Sequence, residues 1–100
     1  MNKTDKRLMS LNDMDNVFLA RQQLNKDETI YVNGETVLLE KDIPVGFKLA
    51  KKKIFTNEEI LKYGYVIGVA TADIMIGEIV HFHNIASTYL ASTLTSEQKR

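Results

Sequence analysis

Lys53-Ile54-Phe55-Thr56-Asn57-Glu58-Glu59-Ile60 can be read in two ways, and the choice decides the fold. Taken alone, Thr56 followed three residues later by Glu59 looks like a capping box that opens a helix. Two other octets argue against it. Asp42-Ile43-Pro44-Val45-Gly46-Phe47-Lys48-Leu49 and Asp73-Ile74-Met75-Ile76-Gly77-Glu78-Ile79-Val80 align with it without gaps, each with isoleucine second, Gly or Asn fifth and an aliphatic residue eighth. Gly and Asn most readily take a left-handed backbone, so Gly46, Asn57 and Gly77 predict three turns, each followed by a strand.

Outward from the octets the signals remain those of a small, mainly β domain. Asn33-Gly34 lies between Ile30-Tyr31-Val32 and Thr36-Val37-Leu38-Leu39. A type I′ turn needs positive φ at both central residues, so this dipeptide predicts a tight hairpin. Val17-Phe18-Leu19-Ala20 is a short apolar run, and residues 1–7 read as a flexible lead. After Asn84, the residues Ile85, Tyr89, Leu90 and Leu94 recur at near-helical spacing among Ser and Thr. That pattern predicts a short C-terminal helix ordered against another surface. The domain proper is thus expected over 8–84, with 85–100 as a tail and candidate subunit interface.

Composition excludes several functions. One hundred residues make one domain, able to bury about 60–65% of its unfolded surface but small for a complete two-domain cleft. Thirteen basic and thirteen acidic side chains cancel, leaving no basic face for nucleic acid or an anionic membrane. The absence of cysteine rules out disulfides and thiolate chemistry and suits a reducing cytoplasm. The first twelve residues are too polar for a signal peptide, and the apolar stretch 63–72 is half of the ~20 residues that a membrane span needs. A soluble cytoplasmic chain is expected.

Both histidines lie in the tetrad His81-Phe82-His83-Asn84. If 79–83 is a strand, residues two apart share a face, and the imidazoles stand side by side like the first two ligands of a metal site. The same pattern also fits two polar residues on the solvated face of a final strand. Two groups alone do not complete a site, so other loops or a second chain would have to supply the rest.

Asp15-Asn16-Val17, Ile43-Pro44-Val45-Gly46, Lys48, Ile60, Lys62-Tyr63-Gly64, Ile67-Gly68, Ala70, Asp73-Ile74, Gly77-Glu78, Val80-His81 and His83-Asn84 resemble, in order and spacing, the small N-terminal domain of the altronate dehydratase family. The resemblance covers about residues 8 to 84 and implies an SAF-type β-clip fold. In that family the domain is fused ahead of a large catalytic region or made as a separate small subunit, as in sulfolactate sulfo-lyase. A chain that ends at Arg100 looks like the separate form.

The activity implied by this resemblance is elimination of water from a sugar acid such as altronate, or of sulfite from sulfolactate, giving a 2-oxo acid. Such chemistry needs a base for a carbon acid, a cation for the carboxylate and enolate, and an acid for the leaving group. The resemblance implies a divalent metal, Fe²⁺ or Mn²⁺, with His81 and His83 as candidate ligands. It makes His81, His83, Lys48 and Tyr63 candidate catalytic residues, and Lys48 and Asn84 candidate contacts to substrate. It implies as partners a large catalytic subunit, the small acid itself and further copies of the chain, with no role for nucleic acid or membrane. Each residue also has an ordinary reading: Lys48 as a solvated charge, Tyr63 as a wedge against Ile60 and Ile67, and Asn84 as a strand terminator. One position departs from the family, which usually has Gly-His-Lys where this chain has Gly46-Phe47-Lys48. Phe47 cannot transfer a proton, so there it either packs or marks a changed reaction. The rival class is a non-catalytic SAF-type module that binds carbohydrate or protein, because one fold serves several functions.

Overall fold

The computed structural model describes residues 3–87. In chain order the strands are β1 (Leu8–Met9), β2 (Val17–Ala20), β3 (Thr29–Val32), β4 (Glu35–Leu38), β5 (Lys48–Ala50), β6 (Glu59–Lys62), β7 (Tyr65–Ala70), β8 (Ile79–Val80) and β9 (Ile85–Ala86). Among the described residues there is no helix, and Thr56–Glu59 is turn and strand as the octets predict. The expected C-terminal helix, with Tyr89, Leu90 and Leu94, lies outside the described residues. Ile85 and Ala86 are not tail: they pair with Ala70 and Val69 as a strand.

Two bent antiparallel ribbons account for most of the fold. The first keeps one register along its whole length, with Val17 opposite Ala50, Leu24 opposite Ile43, Ile30 opposite Val37, and Val32 opposite Glu35 at the tip. The second begins on the strand where the first ends. Lys48 is opposite Val80, Ile54 opposite Ile74 and Ile60 opposite Gly68. A bulge between Ile60 and Leu61 then shifts the pairing by one, so that Lys62 meets Tyr65. Ala20 and Ala50, Leu24 and Ile54, and Ile30 and Ile60 hold equivalent places, so the chain contains the same bent unit twice.

Each bend is made by a pair of turns. In the four turns the N–H of Glu28, Phe47, Glu58 or Glu78 donates to the carbonyl three residues back, and the residue before each donor is left-handed: Asp27 (φ 74), Gly46 (φ 89), Asn57 (φ 72) and Gly77 (φ 80). A type II turn has this geometry. The octet pattern therefore has a fourth member, Gln23-Leu24-Asn25-Lys26-Asp27-Glu28-Thr29-Ile30, in which Asp fills the left-handed slot. Three of the turns are tightened by a glutamate reaching back to the N–H of Asn25, Phe55 or Met75. In the middle octet the side chain that reaches back is Glu58, to Phe55 N–H, and not Glu59 to Thr56 as a capping box would require. The Gly77 turn also joins the ribbons, since a Cβ on Gly77 would stand 2.7 Å from Val37 Cγ1 of the first hairpin.

Side-chain alternation places one core on each face of the sheet β1-β2-β5-β8. Leu8, Phe18, Ala20 and Leu49 pack with Leu24, Ile30, Val32, Leu39 and Ile43 of the first ribbon. Val17, Ala50 and Val80 pack on the other face with Ile54, Ile60, Ala70 and Ile74 of the second. The expected small β-clip domain is what forms, and fully burying each Leu or Ile stabilises it by roughly 1.5–3 kcal/mol. Residues 3–7 do not trail free of it. Gly34 donates to the Lys3 carbonyl (2.7 Å), Asn33 donates to Thr4 Oγ1 (2.9 Å), and Asp5 donates to the Tyr31 carbonyl (2.9 Å).

The left-handed turns give a direct test. Asn57→Gly should leave stability unchanged or slightly raised, whereas Asn57→Ala should cost about 1 kcal/mol in denaturant unfolding. Equal stability of the two variants would contradict the turn. A second test uses Arg7, whose guanidinium pairs with Asp5 and Glu28 at 2.9 Å each. Those hydrogen bonds hold both carboxyls below their ordinary values. A carboxylate with a lowered folded pKa stabilises fully above its unfolded value and loses that contribution as pH falls through the lowered one. Arg7→Gln should therefore flatten the fall in melting temperature below about pH 4; an unchanged slope would count against the pairing.

Candidate functional site

Val80 is followed by a turn, not by more strand: the ladder of β8 stops there, and His81-Phe82-His83-Asn84 reverses direction into β9. Asn84 is the cause. Its Oδ1 accepts the His81 N–H (2.9 Å), its Nδ2 donates to the Ile79 carbonyl (2.8 Å), and its own N–H donates to the His81 carbonyl (3.0 Å). Asparagine closes turns by offering the backbone such side-chain partners in place of a ladder. Its side chain is buried and fully engaged, which fits the reading as a strand terminator.

The two imidazoles consequently do not stand as neighbours on one strand face. His81 stacks on Phe47, with ring centroids 4.8 Å apart and planes at 26°, and its other neighbour is the Phe82 ring at 4.3 Å. Phe47 packs against the first core as well, so at this departure from the family pattern the residue is a packing group. His83 instead lines a cleft of about 390 Å³ whose walls include Leu39, Ile43, Ile76, Ile79 and Glu78. Lys48, Tyr63 and His81 are not part of that cleft. The tip of the turn is Phe82, which is 85% exposed.

Lys48 lies on the opposite face. It sits on the rung with Leu19 and Val80, on the side that carries Ala50 and the second core. Burial, and then the charge of Lys62, lower its pKa. Tyr63 belongs to the tip of the second ribbon, with φ 56 beside Gly64 at φ 77, and is 57% exposed. It is not a wedge against Ile60 and Ile67. It is the counterpart of Asn33, and the Lys62 ammonium lies 5.8 Å from its ring centre.

Two groups important to this region carry no chemical signature in the sequence. Asp15 is buried and accepts the N–H of Tyr63 (2.9 Å) and of Gly64 (2.7 Å), neutralising the donors of the second hairpin tip. Asn16, also buried, accepts from Leu61 N–H and donates to the Glu59 carbonyl. Lys62 belongs with Tyr63 and Gly64 to a motif that gives it no role, and only comparison of the two ribbons singles it out.

β8 is the last strand of its sheet, with β5 on one side only. Lys48, on β5, is thus one strand in from that edge, and His81 and His83 lie in the turn that follows the edge strand. The described residues do not by themselves assemble a metal centre. Among the described residues no three His, Cys, Asp or Glu side chains are grouped to hold an ion, and the His81 ring is engaged between two aromatic neighbours. No helix among the described residues is long and apolar enough to cross a membrane.

Comparison with known proteins agrees with the architecture. The altronate dehydratase of Bacillus subtilis (strain 168) is 39% identical over 79 residues, which are 79% of this chain and 16% of that protein. The altronate dehydratase of Escherichia coli (strain K12) is 37% identical over 76 residues, 76% of this chain and 15% of that protein. The (2R)-sulfolactate sulfo-lyase subunit alpha of Chromohalobacter salexigens is 42% identical over 43 residues, 43% of this chain and 46% of that subunit. The chain thus spans about a sixth of the altronate dehydratases it matches. Residues 6–88 match the family described as the altronate/galactarate dehydratase SAF domain, and the chain belongs to that family.

Proposed function

We propose that this chain is the small component of a cytoplasmic lyase that eliminates water from a sugar acid such as altronate, leaving a 2-oxo acid, and that it acts with a large catalytic chain. The observation that carries the reading is the turn of residues 81–84. Asn84 spends its whole amide on fixing the backbone there, and the turn so fixed presents two histidines and an exposed phenylalanine at the edge strand of the sheet. A rigid display of groups that this domain does not itself complete suits a surface finished by another chain.

Within this reading Lys48 holds the substrate carboxylate, and His83, beside the cleft, exchanges a proton with the acid. His81 is steadied by Phe47 and fixes the orientation of the turn. Tyr63 is placed at the ribbon tip, where its hydroxyl can reach only a ligand held near Lys62. The divalent metal, Fe²⁺ or Mn²⁺, belongs to the companion chain, because the described residues of this one do not group into a centre. A sulfonated substrate is the second reading. It is favoured by the likeness to the sulfo-lyase subunit alpha, 42% identical over 43 residues that make up 46% of that subunit.

Purified alone, the chain should turn over none of altronate, galactarate or sulfolactate with any divalent metal. Mixed with its large chain it should restore elimination from one of them, and His83→Ala should lower that rate by about a hundredfold. Turnover by the isolated chain would contradict the reading. Full activity of the large chain without this one would move the domain to the binding-module class.

A further inference from the structure

The two ribbons are built alike, so the places where they differ carry information. With Ala20 matched to Ala50 and Ile30 to Ile60, the counterpart of Phe18 is Lys48 and the counterpart of Val32 is Lys62. In the first ribbon Phe18 and Val32 are buried members of one core cluster. In the second ribbon the same two places are taken by half-buried lysines. Lys48 leaves β5 on the face of Ala50, and Lys62 leaves β6 on the face of Ile60, so both border the second core. Hydrocarbon closes this end of one unit; two cations close it in the other. An apolar pair would serve folding at least as well, because partly burying like charges is unfavourable.

Among the described residues neither lysine forms an ion pair; the pairs there are Arg7 with Asp5, Arg7 with Glu28, and Lys52 with Glu58. The carboxylate of Asp15, at the same ribbon tip, is already occupied by the N–H groups of Tyr63 and Gly64. Burial, and after it the charge of Lys62, lower the pKa of Lys48, in keeping with two cations that border the same core.

We propose that Lys48 and Lys62 together bind the carboxylate of a small organic acid, one ammonium to each oxygen. Charge-assisted bonds of about 2.7–2.9 Å would replace the repulsion, and the bound anion would raise the pKa of Lys48. The lyase reading supplies the identity of the acid, and the site itself stands on the paired lysines.

The test is an NMR titration of the lysine ε-methylene resonances in the full chain, with potassium altronate, potassium sulfate and potassium chloride at matched ionic strength. Altronate should shift both lysines saturably and raise the Lys48 titration midpoint, sulfate should compete with it, and chloride should do neither. Lys62→Val, which restores the residue type of the equivalent position, should keep the folded spectrum and weaken the altronate response at least tenfold; Lys62→Gln serves if the valine variant misfolds. A Lys48 response to altronate no larger than to chloride, or an undiminished response in the Lys62 variants, overturns the proposal. Absence of a response together with weaker assembly of Lys62→Gln with the large chain would assign the pair to a protein carboxylate and likewise overturn it. In the reconstituted lyase, Lys62→Gln should raise KM for the acid about tenfold with a smaller change in kcat. Binding by the isolated chain with unchanged KM would keep the anion site and remove only the lyase reading.

Discussion

The structure depends on two pairs of reciprocal backbone hydrogen bonds, Leu24 with Ile43 and Ile54 with Ile74, each made in both directions at 2.8–2.9 Å. They clamp the ribbons at their bends, where the flanking strands would otherwise splay. Each bond contributes only about 1 kcal/mol net, and burial of the four side chains contributes more. The bonds determine which burial occurs. With Leu24 locked to Ile43, the first hairpin can only bring Ile30, Val32 and Leu39 onto one face of the sheet; with Ile54 locked to Ile74, the second brings Ile60 and Ala70 onto the other. Left-handed residues on either side of each clamp allow the chain to turn within two residues and still keep its register.

This explains what was legible in the sequence. The octets could be read because their two signals, an aliphatic residue for the clamp and a Gly or Asn for the turn, are demanded by backbone geometry and recur wherever the ribbon bends. Asn33-Gly34 was legible for the same reason. Asp27 escaped notice because Asp adopts positive φ less readily than Gly or Asn. Tyr63 was misread because a tyrosine is rarely selected for a left-handed tip. Here the conformation is imposed from outside, by the buried carboxylate of Asp15, fifty positions nearer the N-terminus in rough terms and invisible to any local pattern.

The candidate site was legible as residue types and not as geometry. Alternation predicted that His81 and His83 share a face, but alternation holds only while the ladder continues, and Asn84 ends it. Lys48 is singled out by its place after a turn, whereas Lys62, though part of the Lys62-Tyr63-Gly64 motif, carries no local sign of a role. Both are understood from the departure of one ribbon from the other: positions that fill a core in the first unit carry charge in the second. Asymmetry within a duplicated fold thus marks the places where folding does not dictate the residue, whereas the shared pattern reports what folding requires.

The most direct test of this account is a structure of the chain assembled with the large catalytic chain proposed for it and a bound sugar acid. The account predicts the carboxylate of the acid within hydrogen-bond reach of Lys48 and Lys62, with residues 81–84 covered by the partner at the edge of β8. An acid bound entirely by the large chain, with both lysines open to solvent and away from it, would contradict the account.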